Sequence, residues 1–136
     1  MQSTFLGAAP VTEPGAARYY PEPGLYLAVN QVLTANQELP NLTLSIDADC
    51  EFEWLATVGT QTGTYEVRFR LPNGRYMSNA RIANANLVGS AQFPVLLPHP
   101  VVIPAAGQLG IDIKDTSGAS NTVQIVLWGS KRYRTR

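Results

Sequence analysis

The stretch from residue 50 to residue 71 constrains the fold more than any other part of the sequence, because its side chains alternate between apolar and polar types. Apolar residues occupy every second position in both halves: Cys50, Phe52, Trp54 and Ala56 in the first, and Tyr65, Val67, Phe69 and Leu71 in the second. Strict alternation of this kind is typical of a β-strand with one buried face. The stretch therefore predicts two half-buried strands joined by a turn about Thr60 and Gln61.

We expect these two strands to pair with each other as an antiparallel hairpin. One register would bring four pairs together: Phe52 with Phe69, Trp54 with Val67, Glu51 with Arg70, and Glu53 with Arg68. The first two pairs are apolar contacts on the inner face, and the last two are opposite charges on the outer face. Because one register satisfies both faces, the pattern predicts a hairpin that forms a wall of a sandwich core.

Further strand signals recur at short intervals along the rest of the chain. They cover residues 25–32, 42–46, 75–78, 93–97, 101–103, 107–115 and 122–128, and residues 82–88 fit a strand or a loop. The runs at 93–97 and 101–103 are bounded by prolines, as edge strands often are, and Asn73-Gly74 indicates a tight turn. No segment keeps an apolar stripe at helical spacing over three turns, so we expect at most one isolated helical turn. These features predict an all-β fold, a jelly-roll-like antiparallel β-sandwich of about eight strands.

Composition divides the chain into three parts. Residues 1–24 contain four of the ten prolines and predict an extended N-terminal arm, which is either disordered or ordered against a neighbouring subunit. Residues 25–130 form the predicted β-sandwich domain. Residues 131–136 hold four of the ten positive charges and predict a basic C-terminal tail, which is either solvated or a clamp on an acidic surface. Candidate protein-interface residues are Tyr19, Tyr20, Lys131, Arg132, Tyr133, Arg134 and Arg136.

Several classes of protein are disfavoured. A single cysteine, Cys50, allows neither an intrachain disulfide nor a cysteine metal cluster, and its position predicts a buried, inert thiol. The first ten residues lack the pattern of a secretion signal, and four prolines interrupt the apolar region 93–106, so we expect no membrane helix. Four positive charges and one aromatic ring in the tail are too few to indicate specific recognition of nucleic acid.

No constellation in the sequence indicates catalysis. His99 is the only histidine, and its position between two prolines predicts a loop residue without a special role. Asp47, Asp49, Glu51 and Glu53 alternate as calcium ligands sometimes do, but oxygens spaced about 6.6 Å apart along a strand diverge. The two glutamates also lack the burial that an acid catalyst needs. We therefore expect no catalytic residue, no metal, no cofactor and no enzymatic activity.

Three segments carry a resemblance to a protein family: LTANQE at 33–38 leading into an alternating strand, VVIPAAG at 101–107, and NTVQIVLW at 121–128 followed by Gly129 and a basic end. Over roughly residues 25–134 the chain resembles the capsid cement, or decoration, proteins of tailed bacteriophages. The resemblance implies a jelly-roll subunit on the capsid exterior, assembled in the cytoplasm of the bacterial host. It implies binding to the major capsid protein, bridging of neighbouring capsid subunits, and self-association as a dimer or trimer. Tail, neck and fibre proteins share similar β-sandwich segments.

The alternative function is a carbohydrate-binding β-sandwich module, free or on a phage fibre. Such modules present aromatic side chains, and the candidates here are Tyr65, Tyr76, Trp54 and Trp128. Because Trp54 is predicted to face inward, Trp128 and Tyr76 are the residues expected to form a platform.

Overall fold

Eight strands and one helical turn make up the regular structure of residues 19–134, the part of the chain that the computed structural model describes. The elements are β1 (Tyr19–Leu33), β2 (Glu38–Ser45), β3 (Cys50–Gln61), β4 (Tyr65–Arg70), β5 (Ile82–Ala83), α1 (Asn84–Leu87), β6 (Val95–Ile103), β7 (Gln108–Asp115) and β8 (Asn121–Arg134). The strands form two four-stranded antiparallel sheets: sheet A with the order β1-β8-β3-β6, and sheet B with the order β2-β7-β4-β5. The predicted all-β sandwich is therefore confirmed.

The path of the chain is that of a jelly roll. Every connection except the one from β4 to β5 crosses from one sheet to the other. The result is two sheets built from interleaved strands, as in a double Greek key. Inward-facing side chains of the two sheets pack against each other, and the largest fully buried ones are Trp54, Tyr65, Phe52 and Phe69.

The predicted hairpin between β3 and β4 is wrong. β3 pairs with β8 and β6 in sheet A, whereas β4 pairs with β7 and β5 in sheet B. Glu51 consequently lies opposite Arg132, not opposite Arg70. The predicted inner faces are nevertheless correct, because the rings of Trp54 and Phe69 meet across the core at 5.0 Å between centroids. The two strands face each other from opposite sheets.

The remaining local predictions have mixed outcomes. Asn73-Gly74 forms a turn, in which Leu71 N donates to Arg75 O at 2.7 Å and Gly74 has φ of 87°. The expected return strand at 75–78 is reduced to one bridge between Arg70 and Tyr76. Residues 82–88 contain the two-residue strand β5 and the single helical turn α1. Residues 95–97 of one predicted run and 101–103 of the other share one edge strand, β6, whereas Phe93 and Pro94 precede it. Residues 97–100 bulge opposite Leu55.

Sheet A extends beyond the domain boundaries that composition predicted. β1 begins at Tyr19 and β8 ends at Arg134, and these two residues pair with each other. Residues 19–24 of the predicted arm and 131–134 of the predicted tail are therefore strand. The backbones of the two segments hydrogen-bond to each other, and β1 accommodates Pro21 and Pro23 because it is an edge strand. The other residues of the predicted arm and tail, 1–18 and 135–136, lie outside the described residues.

A pair of glycines makes room for one core ring. Gly24 and Gly129 are paired across β1 and β8, and the ring of Phe52 lies over them. A Cβ at Gly24 would lie 3.2 Å from Phe52 Cε1, and a Cβ at Gly129 would overlap the carbonyl oxygen of Glu53. Phe52 in turn makes an edge contact with the ring of Tyr26 at 4.8 Å between centroids. The glycines thus allow an aromatic layer to close this end of the core.

A buried polar network closes the other end. Asp115, at the end of β7, is fully buried and accepts hydrogen bonds from the backbone N–H groups of Asn36, Ser117 and Gly118. It also accepts from the Ser117 hydroxyl at 2.6 Å and from Asn121 Nδ2 at 3.1 Å. These hydrogen bonds, with that of the Ser117 hydroxyl as the largest contribution, hold the pKa of Asp115 well below its usual range. The carboxylate is therefore the stable form in the fold.

Asp115→Asn is expected to lower the free energy of unfolding at neutral pH. It should also make the free energy of unfolding less dependent on pH in the acid range. Since the folded state holds this pKa low, its stabilisation is present above the unfolded pKa and is lost as pH falls below about 4. Urea unfolding from neutral pH down to about pH 2 measures both effects. Asp49→Asn, at an exposed carboxylate, is the control. Parallel pH profiles for wild type and Asp115→Asn would contradict the assignment.

Two tyrosine-to-phenylalanine variants test whether a buried hydroxyl group needs a hydrogen-bond partner to be stabilising. The hydroxyl of Tyr65 is buried without a hydrogen-bond partner among the described residues, so Tyr65→Phe should raise the free energy of unfolding by about 1 kcal/mol. The hydroxyl of Tyr26 accepts a hydrogen bond from Asp47 N at 3.2 Å. Tyr26→Phe should therefore lower the free energy of unfolding by about 1 kcal/mol. Chemical denaturation of both variants measures the difference. A loss of stability in Tyr65→Phe would indicate that its hydroxyl is satisfied.

Candidate functional site

Large apolar side chains are exposed on one sheet of the sandwich. Within residues 19–134, the strands of sheet A carry seven of the nine such side chains: Tyr20, Leu25, Leu27, Val32, Leu55, Leu96 and Val102. The other two, Tyr76 and Phe93, lie between strands, and sheet B carries none on its described strands. Contiguous exposed apolar surface often marks an interaction site.

The register of sheet A aligns three of these side chains, Leu25, Leu27 and Leu96, in rows with four less exposed apolar residues. In one row, Leu25 pairs with Trp128, Trp128 with Ala56, and Ala56 with Leu96. Leu25 is 63 % exposed and Leu96 is 73 % exposed, at the two edges of the sheet. The next row consists of Leu27, Val126 and Val58. We call these seven residues the outer apolar face.

The placement of this face follows from strand alternation. Leu25 and Leu27 flank the buried Tyr26, and Val126 and Trp128 flank the buried Leu127. Ala56 and Val58 are buried, yet they do not belong to the core cluster between the sheets. The sheet therefore presents apolar side chains on both of its sides. Its outer side is only partly covered by the chain itself.

Sheet B has a different outer side, because charged residues alternate with its core residues. Glu66, Arg68 and Arg70 on β4 lie opposite Lys114, Asp112 and Gly110 on β7. Arg81 joins this surface, with its Nε 2.9 Å from Asp112 Oδ1 and its Nη2 bonded to Glu38. The sandwich is therefore two-sided, with an apolar outer face on sheet A and a charged one on sheet B.

The structure brings the sequence-predicted interface residues together at one end of sheet A. Tyr20 pairs with Tyr133, and Tyr19 pairs with Arg134 through the backbone. Tyr20 and Arg134 are exposed, whereas Lys131, Arg132 and Tyr133 are half-buried. Arg136 lies outside the described residues. Their role at an interface stays a prediction.

Two of the basic residues at this end contact acidic residues of the same chain. Lys131 Nζ lies 2.9 Å from Asp47 Oδ2 and 4.8 Å from the centroid of the Tyr26 ring. Arg132 Nη1 lies 3.5 Å from Glu51 Oε1. The hydrogen bond from Lys131 lowers the pKa of Asp47, and burial raises the pKa of Tyr26 to about 12. Lys131 therefore helps to join the β2–β3 loop to sheet A.

A cavity of about 240 Å³ opens at the same end of the sandwich, lined by Ala48, Asp49, Cys50, Glu51, Ala105, Arg132 and Arg134. Its lining contains equal numbers of acidic and basic side chains, so it has no strong preference for either charge. Nearby, ligand atoms of Asp47, Asp49 and Cys50 lie within 4.8 Å of one another. Asp47 is already bonded to Lys131, and burial raises the pKa of the Cys50 thiol, which disfavours the thiolate that binds metal.

The prediction that Trp128 and Tyr76 form one aromatic platform, as in a carbohydrate-binding module, is wrong. Trp54 and Tyr65 are fully buried in the core. Trp128 lies on the outer apolar face of sheet A, whereas Tyr76 bridges to Arg70 of sheet B. The two remaining aromatic side chains therefore lie on different sheets and do not form one platform. His99 is exposed in the bulge of β6.

Sequence reasoning missed the outer apolar face, although a signal for it exists. The segments 25–29 and 125–128 are apolar at both odd and even positions. Such runs are typical of strands that are covered on both sides. Applied to β1 and β8, this rule would have predicted a second apolar surface on sheet A.

Comparison with protein-family models, with curated proteins and with solved structures finds no match to this chain. Among residues 19–134, no helix has the length and apolar character needed to span a membrane. The function proposed below therefore depends on the geometry of the chain and on its sequence resemblance.

Cys50 is expected to be unreactive in the folded chain. Its side chain is 2 % exposed and its Sγ lies 4.0 Å from the Tyr26 hydroxyl, while burial raises its pKa. A thiol-specific reagent should modify the native chain at least about tenfold more slowly than the urea-unfolded chain at the same mildly alkaline pH. The rate of modification, followed by mass spectrometry, measures this. Equally fast modification of both forms would show that the thiol is accessible.

Proposed function

We propose that this protein is a structural virion protein that decorates an icosahedral phage capsid and bridges neighbouring major capsid subunits. The observation that carries the proposal is the outer apolar face of sheet A. The strand pairing of sheet A holds the backbone of this face in paired rows, so that docking requires little further ordering of the backbone. The sequence resemblance supplies the class of partner.

The exposed apolar side chains of this face support the proposal of a protein contact. Full burial of a Leu side chain contributes about 1.5–3 kcal/mol, and Leu25, Leu27 and Leu96 are all exposed. Trp128, the type of residue enriched at the centres of interfaces, lies between them. Further along the same outer side, Glu53 lies opposite Ser130 and Glu51 lies opposite Arg132, and these residues offer a polar rim.

Association of the chain with itself as a dimer or trimer belongs to the same proposal. Copies linked in one assembly bind a repeating shell at several points at once. Avidity then strengthens attachment without requiring strong single contacts. Location on the capsid exterior, after assembly in the host cytoplasm, completes the proposed function.

The first test determines whether the chain is a component of particles. Particles purified from the host that makes this chain should contain it in fixed ratio to the major capsid protein, and particles made without it should open at lower temperature. Quantitative mass spectrometry and thermal disruption measure the two results. Particles that contain none of the chain would refute the proposed function.

A second test addresses the surface itself. Leu25→Glu and Leu96→Glu should each reduce binding to particles that lack the chain by at least about tenfold, because a charge would be buried in an apolar contact. Ala119→Glu, at an exposed position in the β7–β8 turn and outside both surfaces, is the control and should bind as wild type does. Unchanged binding of both Leu variants, with folding confirmed by circular dichroism, would show that the outer apolar face is not the contact.

A further inference from the structure

Two arginines lie beside one tyrosine on the outer side of sheet B, and a third arginine directly precedes that tyrosine in the sequence. Arg68 and Arg70 belong to β4, Arg75 follows the turn at 72–74, and Tyr76 bridges to Arg70. Within residues 19–134 these three arginines have no carboxylate partner, because the ion pairs on this side belong to Arg81. We call Arg68, Arg70, Arg75 and Tyr76 the arginine cluster.

Arg68 is held in place by two contacts that leave its terminal nitrogens available. Its Nε donates to Ser78 O at 3.2 Å, and its guanidinium carbon lies 3.6 Å from the centroid of the Tyr76 ring. Stacking on the ring fixes the plane of the guanidinium, and the Nε bond fixes its direction. A ligand that binds the terminal N–H groups therefore meets a side chain that has already lost much of its freedom.

Arg70 lies across the neighbouring strand because of a glycine. A Cβ at Gly110 would lie 3.0 Å from Arg70 Nε and 3.4 Å from Arg70 Nη2. The missing side chain allows the guanidinium to rest on the backbone of β7. Arg68 and Arg70 consequently line one shallow depression, together with Pro40, Tyr76, Gly110, Ile111 and Asp112.

We propose that the arginine cluster binds an extended acidic segment of a partner protein, with carboxylates two residues apart. Side chains at alternate positions of a strand share one face and lie about 6.6–6.8 Å apart, so Arg68 and Arg70 match carboxylates with the same spacing. A guanidinium binds a carboxylate through two parallel hydrogen bonds, which gives direction as well as attraction. Arg75, an exposed residue next to Tyr76 in the sequence, adds positive charge to this end of sheet B.

The surrounding charges select a short protein segment over a nucleic acid. Glu66 is the next outward residue along β4, and Asp112 lies opposite Arg68. The charge of Asp112 is offset by its ion pair with Arg81, whereas Glu66 has no such pair among the described residues. A long phosphate backbone that followed β4 would meet Glu66, but a short segment that covers only Arg68 and Arg70 would not. The site is independent of the proposed function, because it lies on the opposite outer side from the outer apolar face.

A second copy of this chain is a less suitable ligand. Glu51 and Glu53 have the required spacing on β3, but Glu51 already contacts Arg132. They also lie on the same outer side of sheet A as the apolar rows, so that docking them would bury Leu and Trp side chains against charged residues of sheet B.

The test uses a fluorescent peptide of alternating Glu and Ser residues, with a peptide of alternating Gln and Ser as its control. When the full chain is added at low ionic strength, the fluorescence anisotropy of the acidic peptide should rise to saturation. The anisotropy of the control peptide should not change. Arg70→Gln should weaken this binding about tenfold, since it removes a charged hydrogen-bonding partner. Arg134→Gln, at an exposed arginine of sheet A, should leave it unchanged.

Gly110→Ala tests whether the position of the Arg70 guanidinium matters for binding, in addition to its charge. The variant keeps every charge but displaces the guanidinium of Arg70, so it should also weaken binding of the acidic peptide severalfold. Circular dichroism confirms folding, and if Gly110→Ala does not fold, Arg70→Gln decides alone. The proposal is overturned if the acidic peptide does not bind, or if Arg70→Gln and Arg134→Gln reduce its affinity equally. It is also overturned if a single-stranded oligonucleotide binds more tightly than the peptide, or if the chain self-associates and Arg70→Gln abolishes that association.

Discussion

The buried pair of Asp115 and Asn121 fixes the connections on which the jelly roll depends. Asp115 accepts from Asn36 N in the β1–β2 turn and from Gly118 N in the β7–β8 turn. Asn121 accepts from Gly63 N and donates to Thr64 O, both in the β3–β4 connection. Three crossings between the sheets are thus joined through two adjacent side chains. An apolar pair could fill this space, but it would leave the backbone groups of three turns without partners.

Sequence alternation predicted which side of each strand faces the core, but not which strand lies beside it. Period two places Trp54 and Phe69 inward whether their strands pair in one sheet or face each other across two. The charges favoured the wrong choice, because Glu51 has a suitable partner in Arg70 and another in Arg132. An exposed charge pair contributes only about 0.2–1 kcal/mol, which is too little to decide a topology. The class of fold could therefore be predicted, whereas the strand pairing required the structure.

The candidate site was predictable only in part, for two physical reasons. The basic end was visible as a cluster of charges, but its incorporation into β8 depends on pairing with residues 19–24, more than a hundred positions away in the chain. The outer apolar face arises because Leu25, Trp128 and Leu96 come from three strands that only the topology brings together. The arginine cluster likewise depends on Gly110, which lies far from Arg70 in sequence. Local patterns contain no information on such pairings.

The edges of the two sheets limit how a partner can bind. β1 carries Pro21 and Pro23, β6 carries a bulge with two prolines, β2 carries Pro40, and β5 is only two residues long. Prolines, bulges and short strands all oppose the addition of a further strand. Partners are therefore expected on the outer sides of the sheets, where one side is apolar and the other carries the arginine cluster. Two dissimilar surfaces on opposite sides of a thin sandwich favour contact with two different neighbours. Simultaneous occupation would raise the effective concentration at each contact, so that two weak contacts would hold more firmly than either one alone.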